Sequence, residues 1–504
     1  MTLTDADPTR ARDWLRRDKA HLIDGTWVDE PATPGFAPIE RFDPATGTSL
    51  GTVPAASPHQ VDRAVRAAAR AGERGSAWSG LSRRERARVL HGIAAVVREH
   101  TEELATLITL ENGKLFRESR DDDMPDTADI FDYYAGWTDK LYGESSPVEG
   151  DAINIVVREP VGVCALLVPW NFPLLLAAWK LAPALAMGNT VVIKPSPFTP
   201  FSLLRFVELV HDARLLPPGV LNVVLGDAAT GEALVTHPGV AKVSFTGSTA
   251  VGRAILSGVA GSNLAATTLE LGGKSPNIVF DDVRDLDACI DRSFQLMFSQ
   301  KGEKCSEPTR FLLQRGIYEP FVDALAARAE AVVCGDPFAA STTQGAQCTE
   351  AGLARLLQHI DLAQQDGARL RAGGARDTTG DNARGLFLRP TVFDEVDPAM
   401  RLARDEVFGP VLACIPFDTE ADAIRIANDT DYGLAAGLYT ADSSRARRVA
   451  QALDAGQVFV NRYGCYDFAA PFGGFKQSGW GKEMGIHSLH AYTREKSIWF
   501  ADGL

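Results

Sequence analysis

A cysteine at position 305 follows Gly302, which permits a tight turn, and stands beside Lys301 and Lys304, whose charges are expected to favour thiolate over thiol. That context makes Cys305 a candidate nucleophile. Glu270 ends an apolar run, and Gly272 and Gly273 after it hold no side chains over it. Its carboxyl is therefore expected to have a raised pKa and to serve as a general base near neutral pH. Asn171 lies between Trp170 and Phe172 and is bracketed by Pro169 and Pro173. A side-chain amide in such a turn, where a parallel sheet presents its carboxyl end, is placed to donate hydrogen bonds to a ligand. Each residue also has a plainer reading: a buried structural cysteine, a surface glutamate at a strand end, and an asparagine that makes a turn. Together the three supply a nucleophile, a base and a donor, the parts needed for covalent catalysis.

These residues need a scaffold. Residues 161–195 read as a buried strand, a sharp polar turn, an apolar helix and a second strand ending on Lys194. Strands are predicted at 161–168, 190–194, 221–226, 242–247 and 267–271, alternating with helical patterns, and such βαβ alternation argues a doubly wound parallel sheet. A second set starts at 277–280 and continues through 411–417, which predicts a second α/β domain and a cleft near residue 272. Residues 57–71 and 82–97 carry apolar positions at helical spacing, the second opening with Ser82 and Glu85 as a capping box. Residues 143–158 alternate polar and apolar instead, and a late run at 493–500 is expected to pair beside them.

Composition narrows the function. At 504 residues, 45% of them hydrophobic, the chain is long enough for two domains or more. Its 51 Lys and Arg against 65 Asp and Glu give a net charge of −14, which disfavours generic binding to nucleic acid or to a membrane surface. The apolar stretch 174–187 is interrupted by Lys180 and Pro183 and is too short to span a bilayer. The N-terminus carries charges with no apolar run after them, so no secretory signal is expected and the location is expected to be cytoplasmic. Seven cysteines without a C-x-x-C pair or metal-type spacing read as free thiols, with no metal.

Four motifs, the 161–195 segment with its Asn171 turn, LELGG at 269–273, GEKC at 302–305 and EVFGP at 406–410, together resemble the aldehyde dehydrogenase superfamily. The resemblance runs in the family's order from IDGTWV at Ile23 to YTREKS near the C-terminus. It implies an α/β fold with a Rossmann-like dinucleotide-binding domain (1–142 and 159–272), an α/β catalytic domain (273–478) and a small β oligomerisation element (143–158 and 479–504). Exposed edge strands in that last element motivate a homodimer or homotetramer.

The resemblance also assigns roles. Cys305 adds to an aldehyde, Asn171 and the backbone N–H of Cys305 hold the oxyanion, and Glu270 activates the water that hydrolyses the thioester. The implied dinucleotide contacts are Val168, Trp170, Lys194, Gly226, Gly247, Ser248, Gly252, Leu271, Glu406 and Phe408. Lys194 and Glu406 resemble the pair that hydrogen-bonds the ribose hydroxyls, although an ordinary salt-bridge role fits either. Gly247 and Gly252 are five apart, which departs from G-x-G-x-x-G, and the family's variant dinucleotide fold suits the departure. NAD-preferring members often place a glutamate three residues after the lysine; here that position is Pro197, which leaves the preference open, and NAD is favoured, with NADP possible, only by the absence of a basic cluster in KPSPFTP at 194–200. Phe172, Leu176, Trp179, Tyr466 and Phe472 match positions that line the family's aldehyde tunnel, although an aromatic stripe is usually core.

The expected activity is NAD(P)-dependent oxidation of a medium-sized hydrophobic or aromatic aldehyde. The rivals are a CoA-acylating or semialdehyde dehydrogenase, a thiol esterase without redox chemistry, and a silent structural or binding protein with the same fold. Lys304 decides between the tunnel readings: facing the substrate, it would attract an anionic group.

Overall fold

The computed structural model describes residues 9–30 and 33–501; residues 1–8 of the charged N-terminal stretch lie outside them. Five parallel strands form the centre of one sheet in the spatial order Leu221–Val223, Thr190–Lys194, Val163–Leu167, Lys242–Thr246, Ala266–Glu270. The chain runs outward in one direction through the first three and then crosses back for the last two, so the order reverses between Val163–Leu167 and Lys242–Thr246. The carboxyl ends on either side of that reversal open a crevice, the general ligand site of such sheets. Four of these strands are buried throughout because helices cover both faces, whereas the fifth starts at the exposed Ala266 and is buried from Thr268.

The strands are shorter than the apolar runs suggest. Residues 161–168 yield Val163–Leu167, since Gly162 takes φ 123° just before, and 221–226 yields only Leu221–Val223, with Gly226 at φ 149° ending the run. The helix Leu175–Ala186 follows the Asn171 turn and is buried along its whole length, Lys180 included, with Pro183 inside it. Both helices expected near the N-terminus are present as Pro58–Ala71 and Arg83–Glu99, and each opens with a capping box, the second from Ser82 and Glu85.

A second sheet of seven strands holds Pro276–Val279, Arg310–Gln314 and Val411–Phe417 at its centre, parallel except at the Arg369–Ala372 edge. A third sheet, antiparallel, joins Glu144–Ser146, Ile153–Pro160 and Thr493–Phe500, as the alternating patterns predict. The 479–504 stretch is divided, however. Gly479–Trp480 pairs with Ala266–Glu270 as the eighth strand of the first sheet, and only the later strand joins the small one. Two glycines explain this: a Cβ at Gly479 would lie 2.0 Å from Leu269 O and one at Gly481 would lie 2.6 Å from Thr268 Cγ2, so only glycine lets the backbone close on that edge. All seven cysteines are free thiols. Among the described residues no helix is long and apolar enough to cross a membrane.

Candidate active site

Between the two large sheets lies a cleft of about 1080 Å³, with Asn171 and Cys305 in its wall. Asn171 is buried and donates through Nδ2 to the carbonyl of Glu303, 3.0 Å away. That bond ties the Asn171 turn to the loop two residues before Cys305 and uses one of the amide's two N–H groups, leaving the other available. Cys305 is half-buried. Its thiol is pushed up to about 12, first by burial and then by the negative charges of Glu270 and Glu406.

The expected help from neighbouring lysines is absent. Lys301 is buried with its ammonium on Asn112 O and Oδ1 (2.7 and 2.8 Å) and on Glu303 (2.8 Å). Lys304 donates to Leu296 O and Ser299 Oγ, both at 2.7 Å, and pairs with Glu307 at 3.0 Å. Nearness in sequence places neither charge on the thiol, because each ammonium is held by acceptors of its own. For the same reason Lys304 is committed elsewhere and does not grip a substrate anion.

Glu270 is 2% exposed, which removes the surface-glutamate reading, and neither carboxylate oxygen has a hydrogen-bond partner among the described residues. Its pKa is raised well above 4.5, by burial first and then by the charge of Glu483, with Lys180 and Lys482 opposing. Glu483 is itself held by the buried Lys180, whose ammonium also donates to Thr246 Oγ1 at 2.8 Å. Room for the Glu270 carboxyl depends on Gly473, where a Cβ would lie 2.7 Å from Oε1. Glu270 is absent from the cleft lining, while the next residue, Leu271, is part of it.

Of the expected dinucleotide residues, Val168, Trp170, Lys194, Gly247, Ser248, Leu271, Glu406 and Phe408 line the cleft. Gly226 and Gly252 do not. Gly226 closes on Thr230, whose Oγ1 would lie 2.1 Å from a Cβ, and Gly252 packs under Leu271 at 2.7 Å. They shape the wall from behind. Ser248 caps the helix Thr249–Ala260, accepting from Val251 N, so a helix N-terminus opens on the cleft. Lys194 is buried and Glu406 half-buried, and neither belongs to an ion pair among the described residues. Among the described residues Lys194 donates only to Pro195 O, at 3.1 Å, and burial lowers its pKa to about 8 against the pull of Asp227. Glu406 accepts from Gly273 N at 3.0 Å and keeps acceptor capacity. Spare donors at one wall and a spare carboxylate at the other fit a ligand rich in hydroxyls.

The glycines after Glu270 act differently from their expected role. A Cβ at Gly272 would lie 2.2 Å from Glu406 Oε2, and one at Gly273 would lie 2.5 Å from Cys305 O. They admit the two partners that the rest of the chain brings to them.

The five tunnel candidates divide. Trp179, Phe472 and Tyr466 form one cluster, with ring centroids 5.1 Å apart for the first pair and 5.8 Å for the second. Tyr466 also donates to Ser306 Oγ at 2.7 Å, beside the nucleophile. Leu176 is buried, and the Phe172 ring lies 4.1 Å under the Lys114 ammonium. None of the five lines the large cleft. Sequence reading missed Arg355, Asp227 and Glu232 in the cleft wall and the Lys180–Glu483 pair behind Glu270. Asp227 directly follows Gly226 and caps the helix Ala228–Val235 that carries Glu232, a signal present in the sequence, whereas Arg355 and Glu483 are brought in by remote segments.

The model of the aldehyde dehydrogenase family matches residues 30–498. Over 478 residues the chain is 41% identical to the mitochondrial aldehyde dehydrogenase of Homo sapiens, covering 95% of this chain and 91% of that protein. An NAD+ complex of aldehyde dehydrogenase from Bacillus cereus has a similar structure, with a TM-score of 0.94 at 39% identity over 99% of this chain and 100% of that one. So does the indole-3-acetaldehyde dehydrogenase AldA of P. syringae, in complex with NAD+ and IAA, with a TM-score of 0.94 at 40% identity over 99% and 100%. The chain belongs to the aldehyde dehydrogenase family.

Proposed function

We propose that this protein oxidises an aldehyde to a carboxylic acid with NAD, through a thioester on Cys305. The observation that carries the reading is the convergence of Asn171 and Cys305 on one cleft whose walls hold Lys194 and Glu406 with hydrogen-bonding capacity to spare. Family membership and the NAD+ complexes of the B. cereus and P. syringae relatives support the cofactor.

In the proposed sequence the Cys305 thiol gives its proton to solvent at the open cleft, its sulfur forms a bond to the carbonyl carbon, and the carbonyl electron pair moves onto oxygen. The free N–H of Asn171 and the backbone N–H of Cys305 stabilise that oxyanion. When bound, the nicotinamide supplies the hydride acceptor. Loss of hydride leaves an acyl thioester on sulfur. Glu270 then takes a proton from water, the water oxygen bonds to the acyl carbon, and the thiolate leaves. A base of raised pKa suits this step near neutral pH. Lys194 and Glu406 would hold ribose hydroxyls, and Ser248 would direct the helix N-terminus at a phosphate.

The proposed substrate is a medium-sized hydrophobic or aromatic aldehyde. Support comes from the Trp179, Phe472 and Tyr466 cluster and from a P. syringae relative named for an aromatic aldehyde. The semialdehyde alternative loses its reason with Lys304 committed to Leu296, Ser299 and Glu307. Asp227 and Glu232 in the cleft wall support NAD over NADP. A cytoplasmic location agrees with the free thiols, although the human relative is mitochondrial; cell fractionation distinguishes the two. A dimer or tetramer is proposed because Ile153, Trp499 and Phe500 of the three-stranded sheet are exposed. Light scattering at micromolar concentration checks it, and a monomer would contradict it.

The direct test follows absorbance of the reduced nicotinamide with a panel of aldehydes. Wild-type enzyme is expected to reduce NAD, fastest with benzaldehyde-like and longer aliphatic aldehydes. Cys305→Ala is expected to lose that activity while still binding NAD. Wild-type turnover by the Cys305→Ala protein would overturn the reading.

A further inference from the structure

The chain enters the nucleophile loop through three consecutive left-handed residues, Gln300 (φ 53°), Lys301 (φ 60°) and Gly302 (φ 68°). Only glycine adopts this conformation freely, so the other two persist because their surroundings hold them there. Gln300 N donates to Glu118 Oε1 at 2.7 Å. Lys301 is 1% exposed, and a buried ammonium is costly unless acceptors surround it.

Its acceptors form a closed circuit. Lys301 Nζ reaches Asn112 O at 2.7 Å, Asn112 Oδ1 at 2.8 Å and Glu303 Oε2 at 2.8 Å. The same Asn112 donates through Nδ2 to the carbonyl of Trp170 at 3.0 Å, which fixes the residue before Asn171. Asn171 Nδ2 in turn donates to Glu303 O at 3.0 Å, and Glu303 Oε1 accepts from Cys348 N at 3.2 Å. The circuit thus passes from the cysteine loop through Lys301 and Asn112 to the Asn171 turn and returns through Glu303. Both proposed oxyanion donors, the Asn171 amide and the Cys305 N–H, hang from it.

We propose that Lys301, paired with Glu303, is a positioning residue that sets the separation of those two donors and so shapes the oxyanion site. The assignment rests on the reading of Asn171 as an oxyanion donor. A group held an ångström out of place loses much of its catalytic value even when it stays in the site.

The test compares kcat/KM for one aromatic aldehyde, NAD affinity by fluorescence and the melting temperature in five variants: Lys301→Gln, Glu303→Gln, the double variant, Asn171→Ala, and Lys301→Gln with Asn171→Ala. Lys301→Gln is expected to lower kcat/KM at least about tenfold with NAD affinity unchanged, because it leaves the buried Glu303 carboxylate unpaired two residues before Cys305. Lys301→Gln with Glu303→Gln is expected to recover most of that loss, since two neutral amides keep the contact without a stranded charge. In the Asn171→Ala background, Lys301→Gln is expected to cost little more, because the donor it positions is gone.

Wild-type kcat/KM in Lys301→Gln overturns the proposal, as does a loss that multiplies in full with that of Asn171→Ala. Should Lys301→Gln fail to fold, the double variant carries the decision: near wild-type rate supports the positioning role, and a folded but slow double variant overturns it. A wild-type rate in Asn171→Ala alone removes the oxyanion reading itself and the Lys301 assignment with it. A slow Asn171→Ala with independent losses removes only the latter.

Discussion

On the Lys194 side of Cys305 the cleft wall is made of strand ends, glycine turns and helix faces, whereas on the Trp179 side, outside that cleft, rings pack against one another. The first is specified by how closely backbone approaches backbone or a fixed side chain, as Gly226 does against Thr230 and Gly272 against Glu406. The second is specified by side-chain volume. The difference teaches that substitutions on one side should act through a binding constant and on the other through packing, with little crossover.

The largest expected effect is on the packed side. Trp179→Ala removes the ring against Phe472 from a 9%-exposed site and is expected to destabilise the fold by about 3–5 kcal/mol. Denaturant unfolding measures this, with NAD affinity of the folded fraction near wild type. A loss below about 1 kcal/mol would mean that the rings line an open tunnel with little packing value.

Gly272→Ala should break the other wall. A Cβ there meets the Glu406 carboxylate, so Glu406 must move, and KM for NAD is expected to rise at least about tenfold, roughly 1.4 kcal/mol, with kcat much less affected. An unchanged KM would show that Glu406 does not contact the cofactor. A smaller effect is expected at Pro197, which lines the same cleft near Lys194. Wild-type enzyme should use both dinucleotides with NAD better, and Pro197→Glu should widen that preference several-fold through repulsion of a 2′-phosphate. Steady-state kinetics with each cofactor decides it; complete absence of NADP activity in the wild type would mean that another residue, such as Asp227 or Glu232, already excludes the phosphate.

The same contrast explains what the sequence makes legible. Thr190–Lys194 and Val411–Phe417 stand where uninterrupted β-branched and apolar runs predict them, because burial on both faces requires such runs. Glu270, Asn171 and Cys305 stand out because polar groups at strand ends and glycine turns are informative in themselves. The lysines mislead, since Lys301 and Lys304 neighbour Cys305 in sequence while their ammonium groups serve Asn112, Glu303 and Glu307. Lys180 and Glu483 meet across 303 positions, and Lys301 and Asn112 across 189. Such pairs arise from closure of the tertiary fold, about which local periodicity carries no information. Gly479–Trp480 escapes for the same reason: two residues are too few to show a period, and the strand exists because the first sheet offers an edge.

The central claim is that Glu270 acts after hydride transfer, on a thioester carried by Cys305. Its pKa lies well above 4.5, so the carboxylate forms, and hydrolysis accelerates, as pH rises through a range above that value; as pH falls through the raised pKa the rate is lost. Rapid mixing of Glu270→Gln with aldehyde and NAD, followed by quenching and mass analysis of the Cys305 peptide, tests this directly. The account predicts a burst of about one reduced nicotinamide per active site, slow turnover after it, an acyl mass on Cys305, and no acidic limb in the remaining rate. Rapid steady turnover from the start, with no acyl group on Cys305 and the wild-type pH profile intact, would contradict it.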